Sequence, residues 1–138
     1  MVGIISDKEK IEQILQIVEF ELKLNREHLQ RMQDTDPEGV KGSNMERWFE
    51  DVIHNLGIMR TILISNNLSR FDKEKIEKIL KIVEIELESN ERFLENARKM
   101  GLKQGDNLEL WFEEVIHNLG IMRTILKTPS REDTGLDD

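Results

Sequence analysis

Cysteine and tyrosine are missing from this sequence altogether, and proline occurs only twice. Without cysteine there is no disulfide framework, no thiolate metal site and no cysteine nucleophile, so stability has to come from packing. Long apolar runs are missing too. None approaches the roughly 20 residues a membrane-spanning helix requires, and the opening MVGIISDKEK has too short an apolar part for a secretory signal. The expectation is a cytoplasmic protein with no membrane partner.

Positive charge is in deficit: 20 Lys and Arg stand against 28 Asp and Glu, a formal net charge of −8. A phosphate-binding surface needs the opposite balance, so no nucleic-acid partner is expected. Part of the excess is local, because TPSREDTGLDD at 128–138 sets one Arg against Glu132, Asp133, Asp137 and Asp138. With Pro129 near its start, this stretch reads as an acidic disordered tail that adds nothing to the core. No glycine-rich phosphate loop and no Ser, His and Asp set in a recognisable context occur. No catalytic residues, no cofactor and no resident metal are expected.

What the sequence does contain is a repeat. WFEDVIHNLGIMRTIL at 48–63 returns as WFEEVIHNLGIMRTIL at 111–126, and SDKEKIEQILQIVEFELKLN at 6–25 returns as FDKEKIEKILKIVEIELESN at 71–90. Each half is a long helix, a loop and a second helix, an αα-hairpin used twice. The loop of the first half is the longer one. At 138 residues the chain suffices for one compact domain with its own core.

Local signals place the helices at about 7–33, 45–64, 72–99 and 108–127. Ser6 with Glu9, Ser43 with Glu46 and Asp106 with Glu109 have the spacing of the capping box. DTDPEGVKGSN at 34–44 and the stretch from Gly101 through KQGDN interrupt each hairpin, SNNLSR at 65–70 joins the halves, and Pro129 ends the last helix.

Apolar side chains then recur in steps of three and four. Ile11, Ile14, Leu15, Val18, Leu22, Leu29 and Met32 do so on the first helix, and Met45, Phe49, Val52, Leu56, Met59 and Leu63 on the second. Ile76, Leu80, Val83, Leu87, Phe112, Val115, Leu119 and Met122 repeat the stripes in register. Two such hairpins predict an all-α fold, an antiparallel four-helix bundle built from two tandemly repeated αα-hairpins. The bundle covers residues 1–127, with hairpins at about 6–64 and 71–127.

Polar residues on or near the stripes recur as well: Glu21 and Asn25 as Glu86 and Asn90, and Asn55 as Asn118. Buried polar groups need partners, which predicts an internal network supplied by Trp48, Trp111, Arg60 and Arg123. The rival reading is a ferritin-like di-metal carboxylate site from Glu21, Glu86, Asp51, His54, Glu114 and His117. Helical geometry opposes it, since at 100° per residue His54 lies roughly 160° from Val52 and Asp51 about 100° from it. Turning His54 inward would expose Val52, Leu56 and Met59, which leaves His54 and His117 as surface histidines.

A second apolar flank runs beside the core stripe: Ile17, Phe20 and Leu24 on the first helix, with Ile58 on the second. In the other half these positions are Ile82, Ile85, Ser89 and Ile121. The flank either packs on a neighbouring helix or carries self-association. The second alternative predicts a protein-interaction module acting as a homodimer, with the first hairpin the stickier and a further protein partner possible.

The Ile, Lys and Glu richness of DKEKIEKILKIVEIELESNE, beside the lack of cysteine, resembles hyperthermophile composition. The chain is similar in style to small four-helix-bundle proteins encoded by viruses of hyperthermophilic archaea, and its architecture is similar to focal-adhesion-targeting bundle domains. The resemblance implies an interaction protein of a host cytoplasm and assigns no site residue.

Overall fold

The first helix starts where a reciprocal cap stops the chain from fraying. Ser6 Oγ accepts the Glu9 backbone N–H at 3.1 Å, and Glu9 Oε1 accepts the Ser6 N–H at 3.2 Å. Two of the otherwise orphaned groups of a helix start are thereby satisfied. In a computed structural model of the protein, the described residues form five helices: α1 (Asp7–Thr35), α2 (Pro37–Val40), α3 (Asn44–Ile64), α4 (Asp72–Lys99) and α5 (Asn107–Lys127). The structure describes residues 5–65, 72–102, 105 and 107–131, and among these there is no β-strand. The fold is all-α. Most of SNNLSR, Asp106 of the third expected cap and residues 132–138 lie outside the described residues.

Between α1 and α3 the expected plain loop contains a helical turn. Asp36 caps it by accepting the Gly39 N–H at 3.1 Å, and Pro37 occupies its first position, where the missing N–H costs nothing. Val40 then turns inward and is buried. Ser43 caps α3 by accepting the Glu46 N–H at 3.1 Å, but Glu46 Oε1 reaches one residue further back than expected, to the Gly42 N–H at 2.9 Å. Gly42 has a φ of 73°, a left-handed conformation open to glycine without strain. At the end of α4 the Leu102 N–H bonds the Ala97 carbonyl at 2.9 Å and the Gly101 N–H the Arg98 carbonyl at 3.1 Å. With Gly101 at φ 106°, this is a Schellman stop.

Two compact units divide the chain: Leu15–Asn66, and Met1–Ile14 with Asn67–Asp138. In the first, α1 and α3 run antiparallel. Glu19 meets Arg60 at 3.2 Å, His28 lies against the Phe49 ring at 6.4 Å, and Gln33 donates to Glu46 at 3.1 Å. Val18, Leu22, Val40, Trp48, Phe49, Val52, Leu56, Met59 and Leu63 are its buried apolar side chains. Burying each contributes on the order of 1.5–3 kcal/mol.

In the second unit α4 packs on α5. Glu84 meets Arg123 at 3.4 Å and Arg98 meets Glu109 at 2.9 Å, which again sets the helices antiparallel. Ile76, Ile79, Val83, Leu94, Phe112, Val115, Leu119, Met122 and Leu126 are buried. Of the expected stripes, Leu15, Leu29, Met32, Met45, Leu80 and Leu87 are only half-buried.

The first turns of α1 hold the start of the supposed tail, which corrects one expectation. Lys10 Nζ donates to the Thr128 carbonyl, Ser130 Oγ donates to Asp7, and the Arg131 N–H bonds the Ile5 carbonyl at 2.9 Å. Lys10, Asp7 and Ser130 are buried, Ser130 with 1% of its surface exposed. Pro129 ends α5, but it turns the chain onto α1, where residues 128–131 add to the fold.

Candidate functional site

Between α1 and α3 of the first hairpin there is a groove. Leu22, Lys23 and Arg26 of α1 form one wall, and Ile53, His54, Ile58 and Thr61 of α3 the other, around about 1030 Å³. A second hollow of about 540 Å³ continues it and shares Arg26, Ile53 and His54. Gly57 lies in the larger groove, and a Cβ added there would meet nothing within 4 Å. A glycine inside a helix costs about 0.8–1.0 kcal/mol relative to alanine, and no neighbour within the fold requires it. Gly120, its counterpart on α5, faces open space in the same way.

The second hairpin has a hollow of about 640 Å³ lined by Glu91, Leu94, Glu95, Arg98, Glu113, Ile116 and His117. Through the sequence repeat these positions match, one for one, the lining of the smaller hollow in the first hairpin. The ion pair Glu19 with Arg60 likewise has its counterpart in Glu84 with Arg123. Charge separates the two faces. Lys23, Arg26 and Glu27 on α1 correspond to Glu88, Glu91 and Arg92 on α4, so three successive charged positions reverse sign.

One end of each hairpin carries a carboxylate tied to a glycine. Glu109 accepts Arg98 Nε at 2.9 Å and the Gly105 N–H at 2.8 Å, as Glu46 accepts Gln33 and Gly42. Arg98, and after it the Gly105 N–H, holds Glu109 below the usual carboxylate range, while Arg98 itself is raised by Glu109. Glu46 is lowered first by the Gly42 N–H and then by Gln33. These are stable anions in structural roles.

The residues expected to interact divide by exposure. Phe20 is 58% exposed and Ile58 is exposed, whereas Ile17 and Leu24 are half-buried. The counterparts behave alike, with Ile85 at 67% and Ile121 exposed. Exposure at these two pairs does not separate the first hairpin from the second. Phe93, Leu110 and Met100 are also exposed and were missed. Their counterparts are His28, Arg47 and Thr35, so the signal was there in positions where the second copy of the repeat replaces a polar residue with an apolar one.

Glu21, Asn25, Glu86 and Asn90 are buried, and Asn55 and Asn118 are half-buried. Asn25 Nδ2 donates to the Glu21 main-chain carbonyl at 2.7 Å, and Asn90 repeats this with Glu86 at 2.7 Å. Arg60 and Arg123, expected as donors to this set, pair instead with Glu19 and Glu84 on the exposed side. Asp51, His54, Glu114 and His117 are exposed while Glu21 and Glu86 are buried. Among the described residues no group of three or more His, Asp or Glu side chains could hold a metal ion. The ferritin-like alternative has no support.

No described helix is long and apolar enough to cross a membrane. The chain matches no model of a known protein family, no curated protein and no solved structure.

Proposed function

We propose that the protein is a protein–protein interaction module, a four-helix bundle closed from its two αα-hairpins, that works as a homodimer. The observation that carries this reading is the recurrence of an exposed apolar pair at matched positions, Phe20 with Ile58 and Ile85 with Ile121. Single exposed apolar residues are ordinary on a monomer, but a set that returns in the same places gives each hairpin apolar surface suited to burial. A further protein partner fits the same surface. No catalytic role is part of the proposal.

Burying one Phe and one Leu contributes on the order of 1.5–3 kcal/mol each, enough to matter after the entropy of association is charged against it. The test is light scattering behind a sizing column at tens of micromolar chain. The expected result is a dimer that becomes a folded monomer on Phe20→Lys with Leu24→Ser. A wild-type protein that stays monomeric overturns the reading, and a double variant that unfolds assigns the flank to the core.

A further inference from the structure

We propose that the groove of the first hairpin is a docking site for α4 of a second copy of this chain, with Ile85 seated over Gly57 and the acids Glu88 and Glu91 meeting Lys23 and Arg26. The proposal rests on the self-association reading and names its two faces.

Charge complementarity identifies the occupant. From Asp7 to Glu21 every position charged in both copies of the repeat keeps its sign, and at 23, 26 and 27 the sign inverts. A hairpin pressed against its own kind would set Lys23 and Arg26 against like charges. Pressed against the other hairpin of a second molecule, it meets Glu88 and Glu91. Reversal at three matched positions makes each face attractive to the other and repulsive to itself, the pattern by which like-charge contact selects one partner over another.

Shape agrees with charge. Gly57 lies in the groove where an added Cβ would meet no described atom within 4 Å, so an approaching helix can come closer there than over a residue that carries a side chain. On α4, Ile85 is the apolar side chain to fill that gap, more exposed than Phe20, Phe93 or Leu110. Ile85, Glu88 and Glu91 follow at steps of three, so they share one face of the helix about 120° wide. Glu84 is held by Arg123 on α5 at 3.4 Å, whereas Glu88 pairs within α4, with Arg92 at 2.7 Å, an exposed pair worth little in water that contact with Lys23 would replace.

The experiment uses the full chain in three forms: wild type, Lys23→Glu with Arg26→Glu, and Glu88→Lys with Glu91→Lys. All four positions are exposed, so circular dichroism should show unchanged helix. Sedimentation should give a Kd raised roughly tenfold or more for each variant alone, and a mixture of the two should recover association, because the reversed faces are again complementary. Gly57→Leu should weaken association by about the same factor with the helix signal intact. Wild-type self-association that persists in the charge variants, or a mixture that fails to recover, overturns this docking arrangement while the dimer stands. Normal association of Gly57→Leu overturns the seat of Ile85. A monomeric wild type overturns both the docking and the function proposed above.

Discussion

Arg98 donates its Nε to Glu109 at 2.9 Å, and Glu109, a carboxylate with 4% of its surface exposed, also holds the Gly105 N–H that precedes α5. One side chain thus closes the α4–α5 turn from both sides. Arg98→Ala should lower the melting temperature clearly, whereas Gln33→Ala at the matched position removes a neutral donor and should cost less. Equal losses measured by calorimetry would show that the charge of Arg98 is irrelevant to the turn.

Acid should attack the same places. Glu46 and Glu109 are lowered in the folded chain, by Gly42 and Arg98 first. The unfolded chain therefore takes up protons before the folded one. Their contribution is complete above the ordinary glutamate value of about 4.3 and is lost as the pH falls through the lowered folded values. Melting temperature against pH should be flat near neutrality and fall below that value. In Glu109→Gln the fall should be shallower, and an unchanged acid limb would exclude the linkage.

Removing the seated end of α5 should destabilise the fold. Ser130→Ala leaves the buried Asp7 without this hydrogen bond, at a cost of about 1–3 kcal/mol. Truncation after Lys127 should cost at least as much, because Lys10 then loses the Thr128 carbonyl as well. Chemical denaturation decides it, and an unchanged midpoint for the truncation would show that the clasp contributes nothing.

Asn25→Ala and Asn90→Ala should each destabilise by about 1–3 kcal/mol. Both amides are 1% exposed and donate to a main-chain carbonyl one turn earlier. If one variant alone is silent, the two hairpins use the matched position differently.

Gly57→Ala and Gly120→Ala should each raise stability by about 0.8–1.0 kcal/mol, since the added methyl meets open space and alanine is the better helix former. A loss in either variant would mean that the glycine serves packing within the fold.

The sequence by itself determined the four long helices, their apolar faces and the repeat that relates them. Caps such as Ser6 with Glu9 act within one turn, and stripes such as Val52, Leu56, Met59 and Leu63 depend only on the helical period, so both can be read without knowing what lies opposite. Tertiary structure decided the rest. Arg60 stands about three turns from Trp48 on the same helix, and Glu21 is close in pattern, yet Arg60 meets Glu19 because the antiparallel approach of α1 and α3 puts its exposed edge there. Lys10 occupies a stripe position that a charged residue should avoid. It is buried because the Thr128 carbonyl, far along the chain, arrives to accept its hydrogen bond and its methylenes cover apolar surface. Periodicity tells which way a side chain points, but whether a buried charge finds an acceptor depends on which distant backbone the packing brings to it.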